Sequence, residues 1–410
     1  MRDTDPGAAA RELAPRHSSA WAELALGLGG FGIGTGEFAI MGLLPNVASD
    51  LGASVPAAGH LISAYALGVV LGSPLIAMLA ARAPRRALLI ALAACFAACN
   101  FASALSPDYG TLVAWRFLSG VPHGAYLGVA ALTAASLVPA AERTRAIGRM
   151  MLGLTGATLL GVPLATWVGQ ASGWRACFAL VGSIGALTCL LILRWVPPAP
   201  AAAEASPRRE LGALARRQVW LTLGVGSVGF GGLFAVVSYI TPTLTELTGL
   251  EARQVPLVLA VLGVGMILGN LVGSWLADRS LTRTIGAVLI WNIVVLSLFS
   301  VVVRSAWAAV PTVLLIGSGV ALVPALQARL MDVAGDAQTL AAALNHSAFN
   351  IANALGAWLG GLAVTAGFGW ASTGWVGAGL AVLGLAVFAS SLGRQQAGSR
   401  VRREAVDEPK

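Results

Sequence analysis

Apolar residues run through this chain in long unbroken blocks, not in the narrow stripe of an amphipathic surface helix. Stretches such as Ala87 to Leu105 and Val310 to Leu326 carry no charge, and each approaches the ~20 apolar residues that cross a bilayer. Twelve blocks can be delimited, at roughly 21–44, 57–80, 86–106, 110–134, 146–171, 174–196, 219–243, 254–277, 284–303, 306–328, 338–366 and 370–392. The pattern predicts an all-α membrane protein with twelve transmembrane helices.

The polar punctuation divides these blocks. Met1 to Ala20 lacks the apolar core and small-residue cleavage site of a signal peptide, so it is expected to stay in the cytoplasm. Pro197 to Gln218, with a Pro-Pro pair, an Ala-rich stretch and four arginines, is the one long polar interruption. The expected organisation is a tail at 1–20, a six-helix bundle at 21–196, a cytoplasmic linker at 197–218, a second bundle at 219–393 and a tail at 394–410. Sliding one half by 197 residues brings Gly34 onto Gly231, Pro45 onto Pro242 and Arg82 onto Arg279; one residue less brings Gly173-Trp174 onto Gly369-Trp370. Such a repeat predicts two parallel halves with pseudo-twofold symmetry about the membrane normal, flanking a cavity opened alternately to either side.

Composition agrees. Of 410 residues, 57% are hydrophobic and 11% charged, against roughly a quarter charged in soluble domains, which excludes a water-soluble globule. The net charge of +8 invites a nucleic-acid reading, but its placement argues for topology instead. Nearly all the arginines fall in connections on one side, from Arg82, Arg85 and Arg86 through Arg143, Arg145 and Arg149 to Arg394 and Arg403; the other side holds Arg175, Arg253 and Arg304. The positive-inside rule then puts both termini in the cytoplasm, and no nucleic-acid partner is expected. Cys95, Cys99, Cys177 and Cys189 sit in apolar blocks without metal-ligand spacing and read as small hydrophobes. Lys410 is the only lysine, so no Walker sequence exists. No metal, cofactor or enzymatic activity is expected.

Several motifs carry a resemblance. Gly34-Thr35-Gly36-Glu37-Phe38 with Gly42-Leu43-Leu44-Pro45, Arg116-Phe117-Leu118-Ser119-Gly120 continuing to His123-Gly124, and Gly153, Gly156 and Gly161-Val162-Pro163 ending at Gly173-Trp174-Arg175 together resemble the major facilitator superfamily. Within it they resemble the twelve-span drug:proton antiporter branch, with its arabinose-efflux-permease-like and chloramphenicol-exporter-like members. The resemblance covers essentially the whole chain. It implies a secondary transporter and a gate-and-motif set of Arg82, Arg85, Arg86, Asp278, Arg279, Gly161 and Pro163. Two departures stand out. The loop between spans 2 and 3 has Ala81 where the family carries an aspartate, while the matching loop keeps Asp278-Arg279; and Val162 is inserted between Gly161 and Pro163. The first leaves Asp278 to latch the cytoplasmic gate.

Glu37 sits well inside a span, where a carboxylate is costly unless protonated or paired, and is the candidate proton carrier; a structural acid bonded to a neighbouring helix is the alternative. Arg116 falls at matching depth in span 4, ~10 Å below the surface. If those spans face each other, as the family fold implies, it can pair with the ionised carboxylate; otherwise it snorkels outward. His123, two turns further along that helix, is a candidate relay. Tyr65, Tyr126, Phe234, Tyr239, His346, Asn350 and Asn353 are candidate substrate contacts, Asn350 and Asn353 sharing a face of span 11. The sparse polar inventory favours apolar substrates over sugars, which need many hydrogen bonds to replace water. The expectation is proton-coupled export of small apolar or amphiphilic molecules across a bacterial inner membrane by a monomer whose partners are lipid, substrate and protons. A sugar or polar-metabolite exporter and a non-transporting membrane sensor are the rival readings.

Overall fold

The apolar blocks fold as helices, of which the first begins at Arg16 and the last runs on to Asp407, inside the expected tails. The computed structural model describes residues 16–80, 83–139, 142–198, 215–334 and 338–407; Arg82, Ala81, the first fifteen residues and most of the linker lie outside the described residues. The first half contains α1 (Arg16–Phe38), prolonged by a 3-10 turn (Ala39–Gly42), then α2 (Val55–Leu79), α3 (Arg85–Ala104), α4 in two pieces (Tyr109–Gly120 and His123–Ser136), α5 (Arg143–Gly156 and Val162–Ser172, joined by a π turn at Ala157–Gly161) and α6 (Trp174–Trp195). The second half contains α7 (Arg217–Gly229 and Gly231–Val237), α8 (Val255–Arg279), α9 (Leu281–Val302), α10 (Ala306–Ser318 and Leu322–Ala334), α11 (Gln338–Ala363) and α12 (Ser372–Asp407). Side chains close the exposed starts: Ser54 accepts from the Ala57 amide at α2, and Asp108 from the Thr111 amide at α4.

Among the described residues 11 helices are long and apolar enough to cross a membrane. The twelfth, α4, differs from the unbroken block at 110–134. Pro122 has no amide to donate and its ring clashes with a continuing helix, so the Val121 amide turns back to Leu118 O and a new helix starts at His123. The Val162 insertion is absorbed just upstream by the π turn, whose wider ring takes up an extra residue.

The halves repeat their packing. In the first, α1 packs on α5 and α6, α2 on α4, and α3 on α6; in the second, α7 packs on α11 and α12, α8 on α10, and α9 on α12. A local device is duplicated as well. Gly173 and Gly369 both have positive φ, at 89° and 74°, a conformation open to glycine at little cost, and each turns the chain directly into a tryptophan. Trp174 Nε1 donates to Asp50 Oδ2 at 3.0 Å, and Trp370 Nε1 donates to Glu246 Oε2 at 2.6 Å. Each bundle thus clasps the short segment that follows its first helix to the start of its sixth.

The halves meet along two symmetry-related seams, α2 with α11 and α5 with α8. Among the described residues the hydrogen bonds that join them lie toward the face opposite the termini: Ser63 Oγ to Ala354 O, Thr241 Oγ1 to Gly42 O, Gln170 Nε2 to Ala252 O, and Asn353 Nδ2 to Glu37 Oε1. The bundle is closed on that face. On the termini face, Asp278 and Arg279 are exposed, and Arg279 lies over the Trp275 ring; Asp278 has no ion pair among the described residues. Arg85 is half-buried, and Arg86 donates from Nη2 to Leu193 O, tying the start of α3 to the end of α6.

Candidate functional site

The centre of the molecule is assembled by two helices that touch backbone to backbone. A Cβ on Gly120 would lie 2.1 Å from Tyr65 O, and one on Gly68 would lie 2.0 Å from Phe117 O. Only glycines permit that approach of α4 to α2, and it sets Tyr65, Arg116 and His123 side by side. Tyr65 OH lies 2.9 Å from His123 Nδ1, with donor and acceptor set by the imidazole tautomer. The Arg116 guanidinium carbon stands 4.4 Å from the centre of the Tyr65 ring and 5.5 Å from that of Phe178, within cation–π range.

Arg116 has no solvent exposure, and its Nη1 donates to Gly36 O at 3.0 Å. The expected ion pair with Glu37 is not formed: Arg116 bonds the carbonyl immediately preceding that residue, while the two aromatic rings hold its plane. Its Nε and Nη2 have no hydrogen-bond partner among the described residues. Glu37, 6% exposed, instead accepts from Asn353 Nδ2 at 3.2 Å across the seam between the halves. Arg116 and Tyr65 remain close enough to act on it electrostatically. His123 opens the second piece of α4, so the break at Pro122 intervenes and it does not follow Arg116 along a continuous helix face. Behind it, His346 of α11 is half-buried and interacts with it electrostatically.

The remaining candidates separate into two groups. Phe234 stacks on Phe38 with 6.1 Å between ring centres and meets Phe230 edge-on at 5.5 Å; Phe230 in turn meets Phe349 at 5.0 Å. This aromatic cluster draws on α1, α7 and α11 and begins at the residue beside Glu37. Asn350 Nδ2 is turned back to His346 O in its own helix, and Asn350 Oδ1 has no partner. Tyr126 donates to Leu26 O and fills the contact of α4 with α1 inside the first bundle, away from the seam. Tyr239 donates to Ala357 O between α7 and α11 near the closed face. Gly161 packs against the Thr35 side chain, and Pro163 opens the last piece of α5.

Sequence reasoning missed Phe38 and Phe349, which an apolar block does not distinguish from lipid-facing residues, and it did not single out Glu23. Glu23 is 4% exposed, and Arg149 grips it with Nε and Nη2 at 2.5 and 2.9 Å, fastening α1 to α5 toward the termini face. Among the described residues Glu37 is therefore one of two buried carboxylates, and the one without a cation bonded to it.

Residues 26–339 match the family described as Major Facilitator Superfamily. The chain belongs to this superfamily. It is 40% identical over 349 residues to the inner membrane transport protein YdhP of Escherichia coli strain K12, covering 85% of this chain and 90% of that protein. A chloramphenicol resistance protein of Streptomyces lividans is 37% identical over 251 residues, 60% of this chain and 64% of its own. Among solved structures, a bacterial homolog to the human lysosomal transporter Spinster, in an inward-facing and occupied conformation, superposes with a TM-score of 0.73 at 18% identity, covering 91% of this chain and 96% of that one. The twelve-helix fold of two six-helix halves is that of the superfamily, and the protein is a multi-pass membrane transporter.

Proposed function

We propose that the protein exports small apolar or amphiphilic molecules in exchange for protons by alternating access, in a bacterial inner membrane with both termini cytoplasmic. The observation that carries the proposal is Glu37: a buried carboxyl on the seam between the halves, joined to the opposite half by a neutral amide and not neutralised by a salt bridge. A group so placed exchanges a proton as the seam opens to one side and then the other, because access changes while the residue stays buried. Arg116, fixed one residue away, supplies a permanent positive charge that favours release, and the hydrogen-bonded pair of Tyr65 and His123 lies beside that guanidinium. The aromatic cluster of Phe38, Phe234, Phe230 and Phe349 suits a flat apolar substrate, and the chloramphenicol resistance relative supports that class.

The arginine distribution supports that orientation, which makes the closed face the periplasmic one. A second reading, export of polar metabolites, draws on the unpartnered Oδ1 atoms of Asn350 and Asn353. The test uses purified protein in sealed vesicles with a pH gradient, taking chloramphenicol and a simple pentose as probes. Glu37→Gln should abolish gradient-driven movement while chloramphenicol binding persists; unchanged coupling in that variant refutes the assignment. Pentose displacing chloramphenicol, with the competition lost in Asn350→Ala, would establish the second reading.

A further inference from the structure

Asn353 has no solvent exposure, and its amide is half satisfied. Nδ2 donates to Glu37 Oε1, while Oδ1, on the same carbon, has no hydrogen-bond partner among the described residues. An acceptor left unpaired at that depth is costly, and the partner across from it is a group that gains a donor when protonated. A carboxylate needs donors and a carboxylic acid offers one; an amide rotated by half a turn about its last torsion presents the other end. Asn353 therefore fits both forms of Glu37, but not equally. The bond to the ionised form is charge-assisted and about twice as strong as its neutral counterpart.

That difference acts between the halves, because Glu37 belongs to α1 and Asn353 to α11, and the next residue of α11, Ala354, accepts from Ser63 of α2. We propose that Asn353 is a positioning residue that ties the second half to the empty, ionised form of Glu37 and so holds the bundle closed on the face opposite the termini until a proton or a substrate occupies the carboxylate. The inference rests on Glu37 being the proton carrier. The groups near Glu37 are Arg116 of α4 and Tyr65 of α2; His123 of α4 lies behind Tyr65, Cys177 of α6 beside Arg116, and His346 of α11 near His123. None of them is hydrogen-bonded to the carboxylate, so the tie across the seam falls to Asn353.

In an exchanger the return of the carrier with neither proton nor substrate is the step that must be forbidden, since it lets protons run through alone. This tie opposes that step and no other. Once a proton neutralises Glu37 only the weaker bond remains, and a bound substrate displaces the amide.

The experiment measures proton entry without substrate, using the full chain in vesicles that are acidified outside, clamped at zero potential with potassium and valinomycin, and loaded with a pH-sensitive dye. Asn353→Leu keeps the volume and removes both hydrogen-bonding ends, and Asn353→Ser is a second variant should the first misfold. Substrate-free proton entry should rise about tenfold over wild type, as expected for a lost charge-assisted bond of about 1.4 kcal/mol, and should vanish when Glu37→Gln is added. Entry at the wild-type rate in the folded variants, or a rise that survives Glu37→Gln, overturns the proposal. Gradient-driven export unaffected by Glu37→Gln alone would instead refute the proton-carrier reading on which it rests.

Discussion

Gly120→Ala is the smallest change that tests how the centre is built. The added Cβ would lie 2.1 Å from Tyr65 O, whereas ordinary van der Waals contact begins near 3.4 Å, so α4 must withdraw from α2 by about 1.3 Å or α2 must bend. The listener across the gap is a backbone carbonyl, which has no rotamer to escape into, and overpacking of this kind costs about 1–3 kcal/mol. The same withdrawal would stretch the 2.9 Å contact between Tyr65 OH and His123 Nδ1 past hydrogen-bonding length, so transport should fall along with stability. Cys99 and Cys177 are buried and free, which makes a thiol-reactive dye a direct reporter of thermal unfolding in detergent. The reciprocal variant Gly68→Ala meets Phe117 O at 2.0 Å and should cost a similar amount. Because one withdrawal relieves both clashes, the double variant should cost clearly less than the sum. A single variant within ~0.5 kcal/mol of wild type, or an additive double, would show that the helices are not in backbone contact.

Two further outcomes follow from the charged contacts. Arg149→Ala leaves Glu23 buried without its cation and should destabilise by about 2 kcal/mol, whereas Glu23→Leu with Arg149→Met should be close to neutral; equal losses in thermal unfolding would contradict this. On the closed face, hydrogen bonds from Arg175 and Trp174 hold the Asp50 carboxyl below its usual range. Its stabilising effect is thus complete above the ordinary carboxylate pKa of about 3.9 and is lost as pH falls through the lowered value. Unfolding temperature should therefore drop more steeply with acid in wild type than in Asp50→Asn, and parallel curves would argue against the clasp.

Much of this architecture was legible in the chain because it is written locally. A run of twenty apolar residues needs no partner to declare itself, and Gly173-Trp174 recurring at Gly369-Trp370 announced the repeat. The break in α4 was also written, in Pro122, but a block defined by the absence of charge is blind to a proline. Pairings between distant positions were not readable. Asn350 and Asn353 share a helix face by spacing, yet one turns to His346 O in its own helix and the other crosses to Glu37, a distinction made by the seam. Arg116 was expected beside Glu37 and stands there, but rings contributed by α2 and α6 direct its guanidinium to a carbonyl. Arg149 read only as a topology marker, and Glu23 drew no reading, until the helices that carry them were brought together.

The repeat relates Glu37 to Phe234, so the second half answers the carboxylate with a ring stacked on Phe38. This asymmetry has an electrical consequence under the proposed exchange. With Glu37 unmatched, it carries one proton inward for each neutral molecule sent out, and the cycle moves one net positive charge. Transport then draws on the membrane voltage, at about 2.3 kcal/mol per 100 mV, as well as on the difference in acidity, and an energised cell at equal pH on both sides would still drive export.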